Sequence, residues 1–216
     1  MGKRWLTLAA EQLGGAARFN LTISRRPFFL YPRGEHTLSR WGERVDALYS
    51  PHASADLVRL GQAAGFSFDM EAPLSDTHDS HRLVLWAQRE RVGLGEELAQ
   101  AIGHRYFERR QRLADRDMLA DCAEEVGLSR AKAAAFLAGD EGHAEVRQAV
   151  EENRRAGITS IPLFRFRSGE YARAVHGSAD VATFAEVLGE IDAHWAARVG
   201  GTSQDEACAA GDAQAS

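Results

Sequence analysis

The chain has 216 residues, 44% of them hydrophobic, enough for one large domain or two small ones with a sizeable core. A net charge of −5 and a pI near 5.9 give no electrostatic case for nucleic acid, and no apolar run approaches transmembrane length. Two cysteines, Cys122 and Cys208, with no Cys-x-x-Cys, exclude a disulfide framework, so a reducing compartment, the cytoplasm, is the expectation.

Residues 3–13 place Trp5, Leu6, Leu8, Ala9 and Leu13 at near-helical spacing, and Gly14-Gly15 stops the run. Met1 leads straight into this amphipathic pattern, so no secretory leader is expected. Over 17–24, Phe19, Leu21 and Ile23 alternate with Arg18, Asn20 and Thr22, which predicts a strand ended by Arg25-Arg26-Pro27. Phe28, Phe29, Leu30 and Tyr31, with Pro32 and Gly34, predict an apolar loop.

Helical spacing continues over 38–48 and 53–64, broken at Ser50-Pro51. Phe66-Ser67-Phe68 predicts a short extended piece, and 71–76 a connector. Asp76-Thr77 can cap a helix over 78–90 whose Leu83, Leu85, Trp86 and Ala87 suit a buried side. Further helices are predicted over 96–109, 115–126, 129–138 and 141–156, with Ser129 as an N-cap.

Gly157-Ile158-Thr159-Ser160-Ile161-Pro162 then closes the helical block. Proline removes a backbone donor and suits a strand entrance, and Ile-Pro is a place where a cis peptide costs little. On these residues alone, an ordinary Gly-terminated helix turning into a strand is the preferred reading of the segment. A hairpin is predicted from strands 163–166 and 171–175 joined through Arg167-Ser168-Gly169-Glu170, then a helix over 180–195. Residues 200–216 are rich in Gly, Ala, Ser, Gln and Asp without apolar periodicity and are expected to be disordered.

The isolated chemical candidates have plain structural readings. Cys122, in Asp121-Cys122-Ala123, suits a small helix-face residue in the core, and Cys208 is expected to be exposed in the tail. His78 and His81 stand three apart and can share a face with Asp76 nearby. No further ligand is placed by sequence, and Asp76 serves better as a cap, so no metal is expected. Trp5 and Trp86 suit core positions. Arg105, Arg109, Arg110 and Arg112 read as a solvated helix face.

The order of these motifs resembles the DsbA-like thioredoxin superfamily, most of all its FrnE-like branch. The residues that carry the resemblance are Gly2-Lys3-Arg4, Arg26-Pro27-Phe28, Asp76-Thr77 with His81-Arg82-Leu83, Leu119-Ala120-Asp121 with Ala123-Glu124-Glu125-Val126-Gly127-Leu128, and the 157–162 segment. The resemblance spans about residues 2–193. It implies an α/β thioredoxin-like fold over 1–199 with a helical insertion over about 38–156, and it makes 157–162 a cis-proline loop in which Thr159, Ser160, Ile161 and Pro162 face substrate.

The resemblance also implies a first strand and a Cys-x-x-Cys turn, which would fall before Met1. The nucleophile of such a turn sits at a helix N-terminus, where thiolate is favoured. Its strand would join 17–24 to 163–166, so its absence is expected to expose strand edges. A shortened gene product, with the missing codons upstream, is the expected explanation.

The resemblance therefore implies a DsbA-family thiol–disulfide oxidoreductase homologue, redox-inactive as this chain, with no catalytic residue and no cofactor of its own. A thiol or disulfide peptide is the expected partner, with glutathione as a further candidate, and neither nucleic acid nor membrane. Two other readings stand beside it. One is a glutathione-dependent enzyme resembling 2-hydroxychromene-2-carboxylate isomerase or a kappa-class transferase. The other is a non-enzymatic peptide-binding module.

Overall fold

A computed structural model describes residues 1–30, 39–177 and 179–211, with side chains to residue 198. Tyr31, Pro32, Gly34 and Leu38 of the expected apolar loop and helix start lie outside the described residues. No described helix is long and apolar enough to cross a membrane. The chain divides into two compact units, one formed by Met1–Leu21 with Ser160–Ser216 and the other by Thr22–Thr159.

The helical unit holds α2 (Trp41–Leu48), α3 (Ala53–Ala63), α4 (His78–Glu90), α5 (Leu94–Arg109), α6 (Arg116–Glu125), α7 (Arg130–Ala138) and α8 (His143–Arg155). Its caps obey the local sequence. The Asp76 carboxylate accepts the His78 N–H at 2.8 Å at the head of α4. Asp115 accepts from the N–H groups of Asp117 and Met118, and Ser129 from that of Lys132. The core gathers Leu83, Trp86 and Ala87 of α4, Leu98 and Ile102 of α5, Leu119 and Cys122 of α6, and Phe136 and Leu137 of α7. Trp86 is buried as its spacing predicts, and its ring stacks on Phe136 at 5.5 Å.

The other unit holds α1 (Gly2–Gln12), a 3-10 turn at Gly15–Ala17, the strands β1 (Leu163–Ser168) and β2 (Tyr171–His176), and α9 (Val181–Gly211). β1 and β2 pair antiparallel, from Leu163 opposite His176 to Ser168 opposite Tyr171. Gly169, with φ +58°, takes the first central position of the two-residue connection, where a type II′ turn needs positive φ. Phe184 of α9 is fully buried and meets Phe164 edge-on at 4.9 Å and Phe166 at 6.0 Å. α1 packs on α9, and Gly2 lets it approach β1: a Cβ there would overlap the Phe164 ring.

Three expectations need correction. Residues 17–24 form no strand; the sheet of the described residues has two strands, β1 and β2. Alternating Phe19, Leu21 and Ile23 can fill a half-buried strand, but a ladder needs a neighbour to bond with. The chain just beyond is tied by side chains instead. The Arg25 N–H donates to Gln88 Oε1 at 2.5 Å, and Asn153 Nδ2 donates to the Pro27 carbonyl at 2.8 Å. Second, α9 runs to Gly211, through part of the stretch expected to be disordered. Glu206-Ala207-Cys208-Ala209-Ala210 is rich in strong helix formers, which composition alone obscured. The Cys208 side chain and residues 212–216 lie outside the described residues. Third, Trp5 is only half-buried and lines a shallow cavity with Asp180, Val181 and Ala182.

Candidate functional site

The 157–162 segment is built from a helix end. α8 closes with the Gly157 N–H on the Arg154 carbonyl and the Ile158 N–H on the Asn153 carbonyl, both at 3.0 Å. Gly157 takes φ +73°, the left-handed turn that such an ending needs. Thr159, Ser160, Ile161 and Pro162 are all exposed, and the Ile161–Pro162 peptide is cis. Pro162 opens the hairpin: its carbonyl accepts the Gly177 N–H at 2.9 Å, one step beyond the β1–β2 ladder. The backbone groups of Thr159, Ser160 and Ile161 enter no described hydrogen bond, and Ile161 keeps 42% of its surface exposed. An exposed apolar side chain flanked by unspent donors and acceptors is suited to an extended peptide.

Cys122 has the opposite surroundings. It is 0% exposed, its Sγ lies 3.6 Å from the Met118 sulfur, and burial pushes its thiol up to about 11. A neutral thiol out of reach of solvent neither attacks a disulfide nor is attacked.

Asp76, His78 and His81 do not come together as a ligand set. His78 Nε2 lies 2.7 Å from His143 Nδ1, a partner the sequence did not suggest. His81 is half-buried beside Phe29, with ring centroids 5.5 Å apart, and bonds the backbone of Phe28. Burial holds it down to about 4, with the charge of His78 acting in the same direction. His78 and His81 do share a face, since both rings lie on Phe29. Among the described residues no group of three or more His, Cys, Asp and Glu is arranged to hold a metal.

Arg82 stands out in the sequence only as part of a motif. Its guanidinium is 0% exposed and donates to the carbonyls of Phe136 at 3.1 Å, Gly139 at 2.6 Å and Glu141 at 2.6 Å, and to the Asp79 carboxylate at 2.7 Å. It thereby satisfies the carbonyls that end α7. Burial would raise Asp79, but hydrogen bonds from Arg82 and Arg116 outweigh it and hold the carboxyl below its usual range. Of the arginine run, the half-buried Arg105 pairs with Glu125 at 3.2 Å and the exposed Arg110 with Asp69 at 2.5 Å, while Arg109 and Arg112 are exposed.

A known family matches most of the chain. The model of the DSBA-like thioredoxin domain matches residues 5–189. This chain belongs to the DSBA-like thioredoxin domain family. The fold of this DSBA-like domain is the expected thioredoxin-like α/β arrangement with a helical insertion. Among solved structures it is similar to the cytosolic disulfide reductase DsbM from Pseudomonas aeruginosa. The two share 20% identity at a TM-score of 0.55, over 92% of this chain and 91% of that one, a likeness of fold. No curated protein matches it in sequence. Of the two cysteines, Cys122 lies within this DSBA-like domain and Cys208 beyond its matched residues, and the 216 residues contain no Cys-x-x-Cys.

Proposed function

We propose that this chain is a thiol–disulfide oxidoreductase homologue of the FrnE-like branch that, as these 216 residues, performs no disulfide exchange and offers a peptide-binding segment. The burial of Cys122 carries this reading. Thiol exchange needs an accessible thiolate and a resolving thiol, and Cys122 is sealed in the helical core with its pKa raised. Family membership supports thiol- or disulfide-bearing peptides as the ligand class. The exposed backbone of Thr159, Ser160 and Ile161 and the side chains of Ile161 and Pro162 are the proposed contacts. A cytoplasmic setting accords with two cysteines and no described disulfide.

In an insulin-reduction assay the purified chain should turn over at background. Robust turnover abolished by Cys122→Ala would overturn the proposal. Binding of a fluorescent unfolded peptide should weaken about tenfold in Ile161→Asp, which puts a charge on the exposed apolar contact. Affinity equal to wild type would remove the segment from the ligand path. Glutathione is the second ligand to try, by thermal shift; a saturable rise in Tm would favour the glutathione-dependent reading.

A further inference from the structure

Two helix N-termini in the helical unit converge on a pair of imidazoles. His78 is the first residue of α4 and His143 the first residue of α8. Their facing nitrogens are 2.7 Å apart, and the ring planes lie within 16° of parallel with centroids 4.8 Å apart. His78 is 1% exposed and covered by Phe29 at 5.8 Å. An N–H···N bond between two imidazoles persists when the pair is neutral or carries one extra proton. With both rings protonated, the facing atoms are both donors and the bond becomes a contact between two N–H groups.

Charged and titratable groups face the pair from the elements around it. Each ring sits at the positive end of its own helix. His81, one turn along α4, is half-buried and held down to about 4. Asp76, on the connector, accepts the His78 backbone N–H and favours charge on His81. Asp79 of α4 is bound by Arg82 and by Arg116 of α6. Glu141 of the α7–α8 turn and Glu145 of α8 are both bound by Arg89. The segment before the helices contributes Phe28 and Phe29, which carry no charge.

We propose that the His78–His143 contact is an acid-sensitive latch: one shared N–H···N bond holds the start of α8 against the start of α4 at neutral pH, and a second proton releases it. The helix it holds is the one that leads, in sequence, into the exposed 159–162 segment.

Hydrogen exchange on the full chain between pH 8 and 5, corrected for the intrinsic rate, tests this. Protection over His143–Arg155 should fall about tenfold per pH unit once the second proton binds, as linkage requires of an opening that takes up one proton. His143→Gln, which keeps a donor and an acceptor but does not titrate, should show a flat profile, and His81→Gln should keep the wild-type slope. A flat wild-type profile, or the same slope in His143→Gln, overturns the latch. Should His143→Gln fail to fold, the carbon shifts of the wild-type imidazoles decide. The pair should hold a single extra proton until α8 loses protection. Two full titrations with α8 still protected overturn the proposal.

Discussion

The helical unit and the hairpin unit of this chain are fastened by different means. The helical unit is closed by side chains that reach across sequence to backbone: Arg82 to the carbonyls ending α7, Gln88 to Arg25, and Asn153 to Pro27. Its apolar core is continuous over four helices. The hairpin unit relies on Phe184, Val187 and Leu188 of α9 and on Leu6 and Ala9 of α1, while no residue of β1 or β2 is fully buried. Its polar ties lie at the surface, Arg18 with Asp192 and Arg173 with Glu190. A two-stranded hairpin is marginal without a packed face, so this unit depends on contact area, the other on satisfied polar groups.

Removing the buried polar tie should have the largest effect. Arg82→Met leaves three carbonyls without this donor and Asp79 with Arg116 alone, and a cost of about 4 kcal/mol is expected in urea unfolding. A cost below about 1 kcal/mol would show that water replaces the guanidinium and would erase the contrast. Phe184→Ala should cost about 3 kcal/mol, and hydrogen exchange should speed up over β1 and β2 before the helices of the other unit. Equal loss in both units would mean that they open as one.

Acid should act on the helical unit next. His81 is depressed to about 4 when folded, against an ordinary value of about 6.5 unfolded. The unfolded chain therefore binds the proton first, and stability falls as pH drops from about 6.5 towards 4, by about 2 to 3 kcal/mol. His81→Asn should flatten this decline in thermal melts taken at each pH. The smallest effect belongs to the surface: Arg110→Ala breaks an exposed pair with Asp69 and should cost less than about 1 kcal/mol, vanishing in high salt.

Local signals were readable wherever a short-range rule decides the structure. Asp76 and Ser129 marked helix starts, Gly157 a helix end, and Ser168-Gly169-Glu170 a hairpin. Ile161-Pro162 stood out because only an X-Pro bond makes a cis peptide inexpensive. What escaped depends on partners far away in sequence. The alternation of Phe19, Leu21 and Ile23 is necessary for a strand but not sufficient, since the ladder is made by another segment. His143 lies 65 residues from His78, and Arg82 meets carbonyls more than 50 residues on, pairings that no periodicity reveals. The fully buried charge of Arg82 was hidden because arginine normally signals surface.

The β1–β2 ladder has a consequence for how the protein behaves in a crowded solution. Among the described residues each strand is paired on one side, which leaves an outer side to which a second copy can add. Arg165 and Arg167 stand exposed on one face of β1, opposite Ala174 and Ala172. A copy docking along that strand would bring its own two arginines within a Debye length of these, and like charges would push it away. Colloidal stability should therefore be best at low ionic strength, and added salt, by screening that repulsion, should promote self-association.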